Sequence, residues 1–135
     1  MRATQALQAR GVAIQHLHIT TLKPFNDPLV LESIRQARHG VITMENHTVI
    51  GGLGTATAEM MAKHGLGQRL VTIGLNDTFI HGASKPYLMR EYGLDAMALV
   101  GTIEKLLGTP LNISEDDLAA VRLVAVHSEH KTEAL

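Results

Sequence analysis

Two hydrophobic rhythms take turns along this chain, and their alternation most narrows the folds it can adopt. Short apolar runs, VAIQHLHI at 12–19, VITME at 41–45 and LVTI at 70–73, are separated by stretches whose apolar residues recur at helical spacing. Parallel strands need crossover connections, usually helices, so such alternation predicts strands side by side in one sheet with helices on both faces. The expected fold is α/β: a three-layer, doubly wound, mostly parallel sheet.

Turn and cap residues punctuate the pattern. Ala3, Ala6 and Leu7 make a helical stripe that stops at Gly11, and the alternating VAIQHLHI that follows predicts a strand. Asp27-Pro28 supplies a capping side chain and a fixed φ for a helix through Leu29, Leu31, Ile34 and Ala37, which should stop at Gly40. Leu53, Ala56, Met60 and Met61 place another helix within 51–64. Ser84 and Pro86 open a short one that Gly93 ends, and Asp95 caps the next, which Gly108-Thr-Pro110 stops. Ser114 with Asp117 has the spacing of a capping box for a last helix through about Val124, and HSEHKTEAL reads as a frayed, poorly ordered tail from about residue 125.

With 135 residues, 45% of them hydrophobic, the chain can bury one core, so residues 1–135 are expected to form a single domain. A net charge of −1, with both signs mixed along the chain, leaves no electrostatic footprint for nucleic acid or an anionic membrane. Cysteine is absent, which removes disulfides, thiolate metal sites and thiol nucleophiles together, and is compatible with the cytoplasm. No apolar run approaches the length that spans a bilayer, and the N-terminus has no signal-peptide core. Aromatic content of 3% nearly excludes stacking platforms for bases or sugars.

The candidate functional residues collect where strands should end. Glu45 and His47 follow VITM at the carboxyl edge of the sheet, the edge on which open α/β folds bind ligands. Glu45 could orient or deprotonate His47, bind a partner's backbone amides, or bond the adjoining glycine turn, the blander role. Gly51, Gly52 and Gly54 would allow a sharp turn and a close helix, with free N–H groups able to hold an anion, although the spacing is neither a dinucleotide fingerprint nor a Walker loop. Asp77, in Asn76-Asp77-Thr78 after the third run, is either an acid or a turn residue. His16 and His18 could share a metal with His47 or His81, but no HExxH or Asp/His cluster supports them, and His127/His130 are no stronger. Ser84 and Lys85 lack a nucleophile-elbow context, so Ser84 reads as a helix cap.

Taken in order, VITMENHTVIGGLGTATAEMMA and LVTIGLNDTFIHGASKPYLMREYGLDAMALVGTIEKLL resemble the C-terminal domain of transketolases and related thiamine-diphosphate enzymes. The resemblance rests on the acidic-x-His turn of Glu45 and His47, the GGLG helix start, Asp77 and Phe79, the Gly82–Lys85 segment, and the Tyr92-Gly93-Leu94 joint. HITTLKPFND adds a T-x-K-P loop, so coverage runs from about Gly11 to Leu107. It implies transfer of a two-carbon ketol unit from a ketose to an aldose through a thiamine-bound carbanion. Thiamine diphosphate and a divalent metal (Mg or Ca) belong to other domains of such enzymes, and nothing here resembles the G-D-G…N signature that holds them. The implied role is therefore that of a C-terminal subunit, inactive alone, of a split enzyme or of an expressed fragment. Its partner is a thiamine-binding chain, within a homo-oligomeric assembly. Glu45, His47, Gly51, Gly52, Gly54 and Asp77 form a candidate interface or anion site. The competing reading is a stand-alone anion-binding or regulatory module.

The family's domain usually opens with an apolar strand before its first helix, and here Met1 begins essentially at that helix. Loss of some five apolar side chains at roughly 1.5–3 kcal/mol each would open a seam comparable with a domain's total stability. Three alternatives follow: an upstream start, Leu123-Val-Ala-Val126 in that place, or a strand from a partner or a second copy.

Overall fold

The computed structural model describes residues 1–121. In chain order the elements are α1 (Arg2–Ala9), α2 (Pro28–Gln36), β1 (Val41–Thr48), α3 (Leu53–Lys63), β2 (Leu70–Leu75), α4 (Lys85–Glu91), α5 (Ala96–Leu107) and α6 (Glu115–Ala120). Asp27, Asp95 and Ser114 cap with their side chains, whereas Ser84 stands at the N-cap of α4 without a side-chain cap bond. Asp27 accepts the amide hydrogen of Leu29 at 2.8 Å, and Asp95 that of Ala98 at 2.8 Å. Ser114 and Asp117 close a reciprocal capping box on α6. Gly108 ends α5 in the left-handed region, at φ 67°.

β1 and β2 pair in parallel, Val41 opposite Leu70 and Met44 opposite Ile73. Adjacent residues of β1 point to opposite sides, as the pleat requires. Ile42 packs on a cluster built by Ala3, Ala6, Leu7, Val100, Ile103, Ile113 and Leu118, which covers one face with α1, α5 and α6. Val41 packs on Val30, Ile34, Met60 and Met61, which cover the other face with α2 and α3. The architecture is thus three layers, helices on either side of a parallel sheet. Leu7 and Val100 are the most deeply buried large side chains, each worth about 1.5–3 kcal/mol.

The sheet departs from expectation at the first apolar run. Among the described residues the sheet has two strands, and residues 12–19 form no ladder. Their side chains still alternate: Val12 and Ile14 lie against the α1/α5/α6 cluster, Leu17 and Ile19 against the α2/α3 cluster. Sequence periodicity reports two-faced burial, whereas a strand also needs a hydrogen-bonding neighbour. The last helix is also shorter than expected, ending at Ala120 with Val121 extended. Leu123–Val126, the tail and the His127/His130 pair lie outside the described residues.

Residues far apart in sequence pin α6 in place. Arg10, at the end of α1, donates to the carbonyl of Leu111 at 2.8 Å and to Asp117 Oδ2 at 3.3 Å. Glu104 Oε1 accepts from the amide of Leu111 at 2.6 Å. No helix among the described residues is long and apolar enough to cross a membrane.

Candidate functional site

The turn between β1 and α3 is built around one carboxylate. Its register with β2 breaks between Met44 and Thr48, so three β1 residues, Glu45, Asn46 and His47, oppose the single Gly74. Glu45 shares the sheet face of Val41 and Thr43, beneath α3, and its side chain reaches forward to that helix. Oε2 accepts the amide hydrogen of Leu53 at 2.8 Å and Oε1 that of Gly54 at 3.1 Å. These are among the unpaired donors at the first turn of a helix, and a carboxylate there also meets the positive end of the helix dipole. Glu45 thus holds two of the amides that an incoming anion would use.

The glycines have separate tasks. Gly51 turns the chain at φ 73°, in the left-handed region. A Cβ on Gly52 would collide with the Glu45 carboxylate, and one on Gly54 would run into Thr72 Cγ2 and crowd Thr43 Oγ1. Gly54 therefore lets α3 press directly on both strands, while Gly52 leaves the volume that the carboxylate fills. Thr55 Oγ1 accepts from the Gly51 amide at 3.0 Å and donates to the Val49 carbonyl at 3.2 Å. Gly74 was not among the sequence candidates. A Cβ there would stand 2.8 Å from Val49 Cγ1 and 3.0 Å from the His47 carbonyl oxygen, and a glycine inside a strand was the available signal.

The other candidates scatter. His47 is exposed, its Nδ1 3.3 Å from the Thr48 carbonyl oxygen, and Glu45 is turned to α3 instead. Asp77 occupies the left-handed region at φ 39°, where an aspartate is tolerated in a turn. His81 lies 3.8 Å from Glu91 and meets Tyr87 edge-on at 6.1 Å; a hydrogen bond to Glu91 pushes the Tyr87 hydroxyl's pKa upward. Desolvation, the N-terminal ammonium and then His18 hold His16 below the ordinary histidine value. Among the described residues no three His, Asp or Glu side chains converge as a metal-ligand set. Among the described residues a diphosphate–metal group therefore finds no such ligand set, two of the first-turn amides of α3 are already taken by Glu45, and these residues do not fit it.

What the carboxyl edge does present is apolar. Phe79 is fully exposed and its neighbour Ile80 is exposed with it on the connection that follows β2, while Ile50 is exposed on the connection that follows β1. A cleft of about 540 Å³ opens between residues 18–21 and the start of α2, lined by His18, Thr20, Pro24, Asn26 and Asp27. Its carboxylate, Asp27, is already engaged as the cap of α2.

A family model for the transketolase C-terminal domain matches residues 1–99. The chain belongs to that family. It is 35% identical over 103 residues to a Methanocaldococcus jannaschii protein whose name assigns it as a transketolase C-terminal section, covering 76% of this chain and 31% of that one. A 1-deoxy-D-xylulose-5-phosphate synthase of Acinetobacter baumannii is 28% identical over 103 residues, 76% of this chain and 16% of the synthase. Among solved structures, a split-gene transketolase described as an inactive beta4 tetramer superposes with a TM-score of 0.66 at 35% identity, covering 79% of this chain and 34% of that chain. The chain thus spans about a third or less of the relatives it matches.

Proposed function

We propose that this chain is the C-terminal section of a split transketolase-like enzyme, completing an assembly that moves a two-carbon ketol unit between sugar phosphates. The observation that carries the reading is the similarity to a split-gene transketolase, at 35% identity and a TM-score of 0.66. Two features of the chain support it. Among the described residues no His, Asp or Glu set fits a diphosphate's metal, and in this reading thiamine diphosphate and the divalent ion sit on a partner chain. Its carboxyl edge shows Phe79, Ile50 and Ile80 to solvent, and large exposed apolar side chains gathered at one edge suit a protein contact.

In this reading the Glu45–Gly54 turn and the Asp77–Ile80 loop form the docking edge. Glu45, Gly51, Gly52 and Gly54 fix the shape of that edge, while His47 and Asp77 face outward on it. A cytoplasmic location belongs to this reading, and a chain without cysteine is compatible with it.

A stand-alone anion-binding module is the weaker reading, because Glu45 already accepts the hydrogens of Leu53 and Gly54. Mixing the purified chain with a thiamine-diphosphate-binding transketolase N-terminal chain tests the proposal. Ketol transfer from a ketose phosphate to an aldose phosphate is expected only from the mixture. Transfer by this chain alone, or stabilisation of the lone chain by sugar phosphates in a thermal-shift series, would overturn it.

A further inference from the structure

We propose that the cleft between residues 18–21 and the first turn of α2 is a binding site for a small uncharged polyol, a carbon chain carrying several hydroxyl groups. Its position suits a ligand. Gln68, just before β2, donates to the carbonyl of Arg35 in the last turn of α2 at 3.3 Å, so α2 ends at the amino edge of the sheet. The nine residues of α2 rise roughly 13 Å at about 1.5 Å each, which carries its first turn towards the carboxyl edge. Open α/β folds bind small molecules in the crevice on that edge. The cleft's volume of about 540 Å³ falls within the roughly 300–1,000 Å³ of small-molecule pockets.

The lining selects the class. Val30 belongs to the buried α2/α3 cluster and Phe25 packs on it, so the apolar wall of the cleft is held by the core. Thr20, Thr21, His18 and Asn26 add hydroxyl, imidazole and amide groups, each able both to donate and to accept a hydrogen bond. The hydroxyls of a polyol are donors and acceptors at once and match such a set, while the carbon-bound hydrogens between them suit the apolar wall. Anions are disfavoured. Asp27 lines the cleft with a carboxylate whose Oδ1 accepts from the Leu29 amide, so a first-turn donor is taken and a like charge stands beside it. Among the described residues no three His, Asp or Glu side chains converge, which sets a metal ion aside.

The full chain, isotope-labelled, would be titrated with sorbitol and separately with sorbitol phosphate, and followed by amide chemical shifts. Melting temperature is the wrong readout, because polyols stabilise folded proteins in general by exclusion from their surface. Sorbitol should give saturable shifts concentrated at residues 18–30. Thr20 and Asn26 are exposed, so the double variant Thr20→Val/Asn26→Ala should keep the fold, and the loss of two polar partners should weaken sorbitol binding about tenfold. Sorbitol phosphate should bind more weakly than sorbitol, and Asp27→Asn, which keeps a capping oxygen without the charge, should narrow that difference. Absence of saturable shifts at 18–30 would overturn the proposal, as would equal sorbitol binding by the double variant, or a preference of the unsubstituted chain for the phosphate. Loss of this site would leave the ketol-transfer reading standing, because that activity is measured on the mixed chains.

Discussion

The carboxylate of Glu45 bonds the amide of Leu53, eight positions later, at 2.8 Å, so the end of β1 caps the helix that follows it. Substitution to alanine removes that bond and the one to Gly54, and leaves both amides to water. Hydrogen bonds to a charged group contribute about 1.5–3 kcal/mol, and the loss of a helix cap costs about 0.5–2 kcal/mol. Glu45→Ala should therefore lower stability by roughly 2–3 kcal/mol in urea titrations. Glu45→Gln, which keeps one acceptor oxygen, should lose about half as much. Equal losses in the two variants would show that the charge rather than the geometry matters.

Two helical glycines should respond in opposite directions. Gly54→Ala adds a methyl where Thr72 and Thr43 already press, and overpacking of this kind costs about 1–3 kcal/mol, more than the ~1 kcal/mol that alanine adds as a helix former. Gly101, within α5, has open space at its Cβ position, so Gly101→Ala should stabilise by about 0.5–1 kcal/mol. Denaturant midpoints of the two single variants check the sign of each.

Acid should weaken the fold in two steps. His16 is held below the ordinary value of 6.5 by desolvation, the N-terminal ammonium and His18, so the unfolded chain takes up its proton first as pH falls. Its contribution is complete above that value and lost between it and the lower folded pKa. Asp117 is held below 3.8 chiefly by hydrogen bonds from the backbone and hydroxyl of Ser114, with Arg10 adding to them. That contribution is present above 3.8 and lost as pH falls towards the folded value. Stability measured against pH should flatten near pH 6 in His16→Asn, while Asp117→Asn should remove the more acidic slope.

Phe79 contacts solvent on all sides, so Phe79→Ser should leave the stability of the isolated chain within about 0.5 kcal/mol. In the proposed assembly the same change should weaken binding to the thiamine-binding chain by tenfold or more, read by titration calorimetry or by the concentration dependence of ketol transfer. Undiminished binding would remove this residue from the interface.

The helix starts at Asp27, Asp95 and Ser114 and the stop of α5 at Gly108 were legible because they rest on local chemistry, whereas the ends of α2 and α6 fall short of the expected positions. The GGLG turn was legible as a joint, but not the reason for each glycine. That reason lies in Thr72, Thr43 and Glu45, whose proximity depends on the pairing of β1 with β2. The alternation of 12–19 marked two-sided burial but also implied a ladder that is not found among the described residues, because a side-chain pattern carries no information about which neighbour offers its backbone. Gly74 escaped notice for a similar reason: only the broken register of β1 brings the His47 carbonyl and Val49 over it.

The interlock between positions 45 and 52 restricts how this turn can change over generations. Any side chain at 52 needs the room the Glu45 carboxylate now takes, whereas shortening residue 45 leaves two helix amides bare until something else reaches them. Neither position can drift alone without loss, so descendants of this sequence should keep both residues or exchange them as a pair, with the acidic one yielding first.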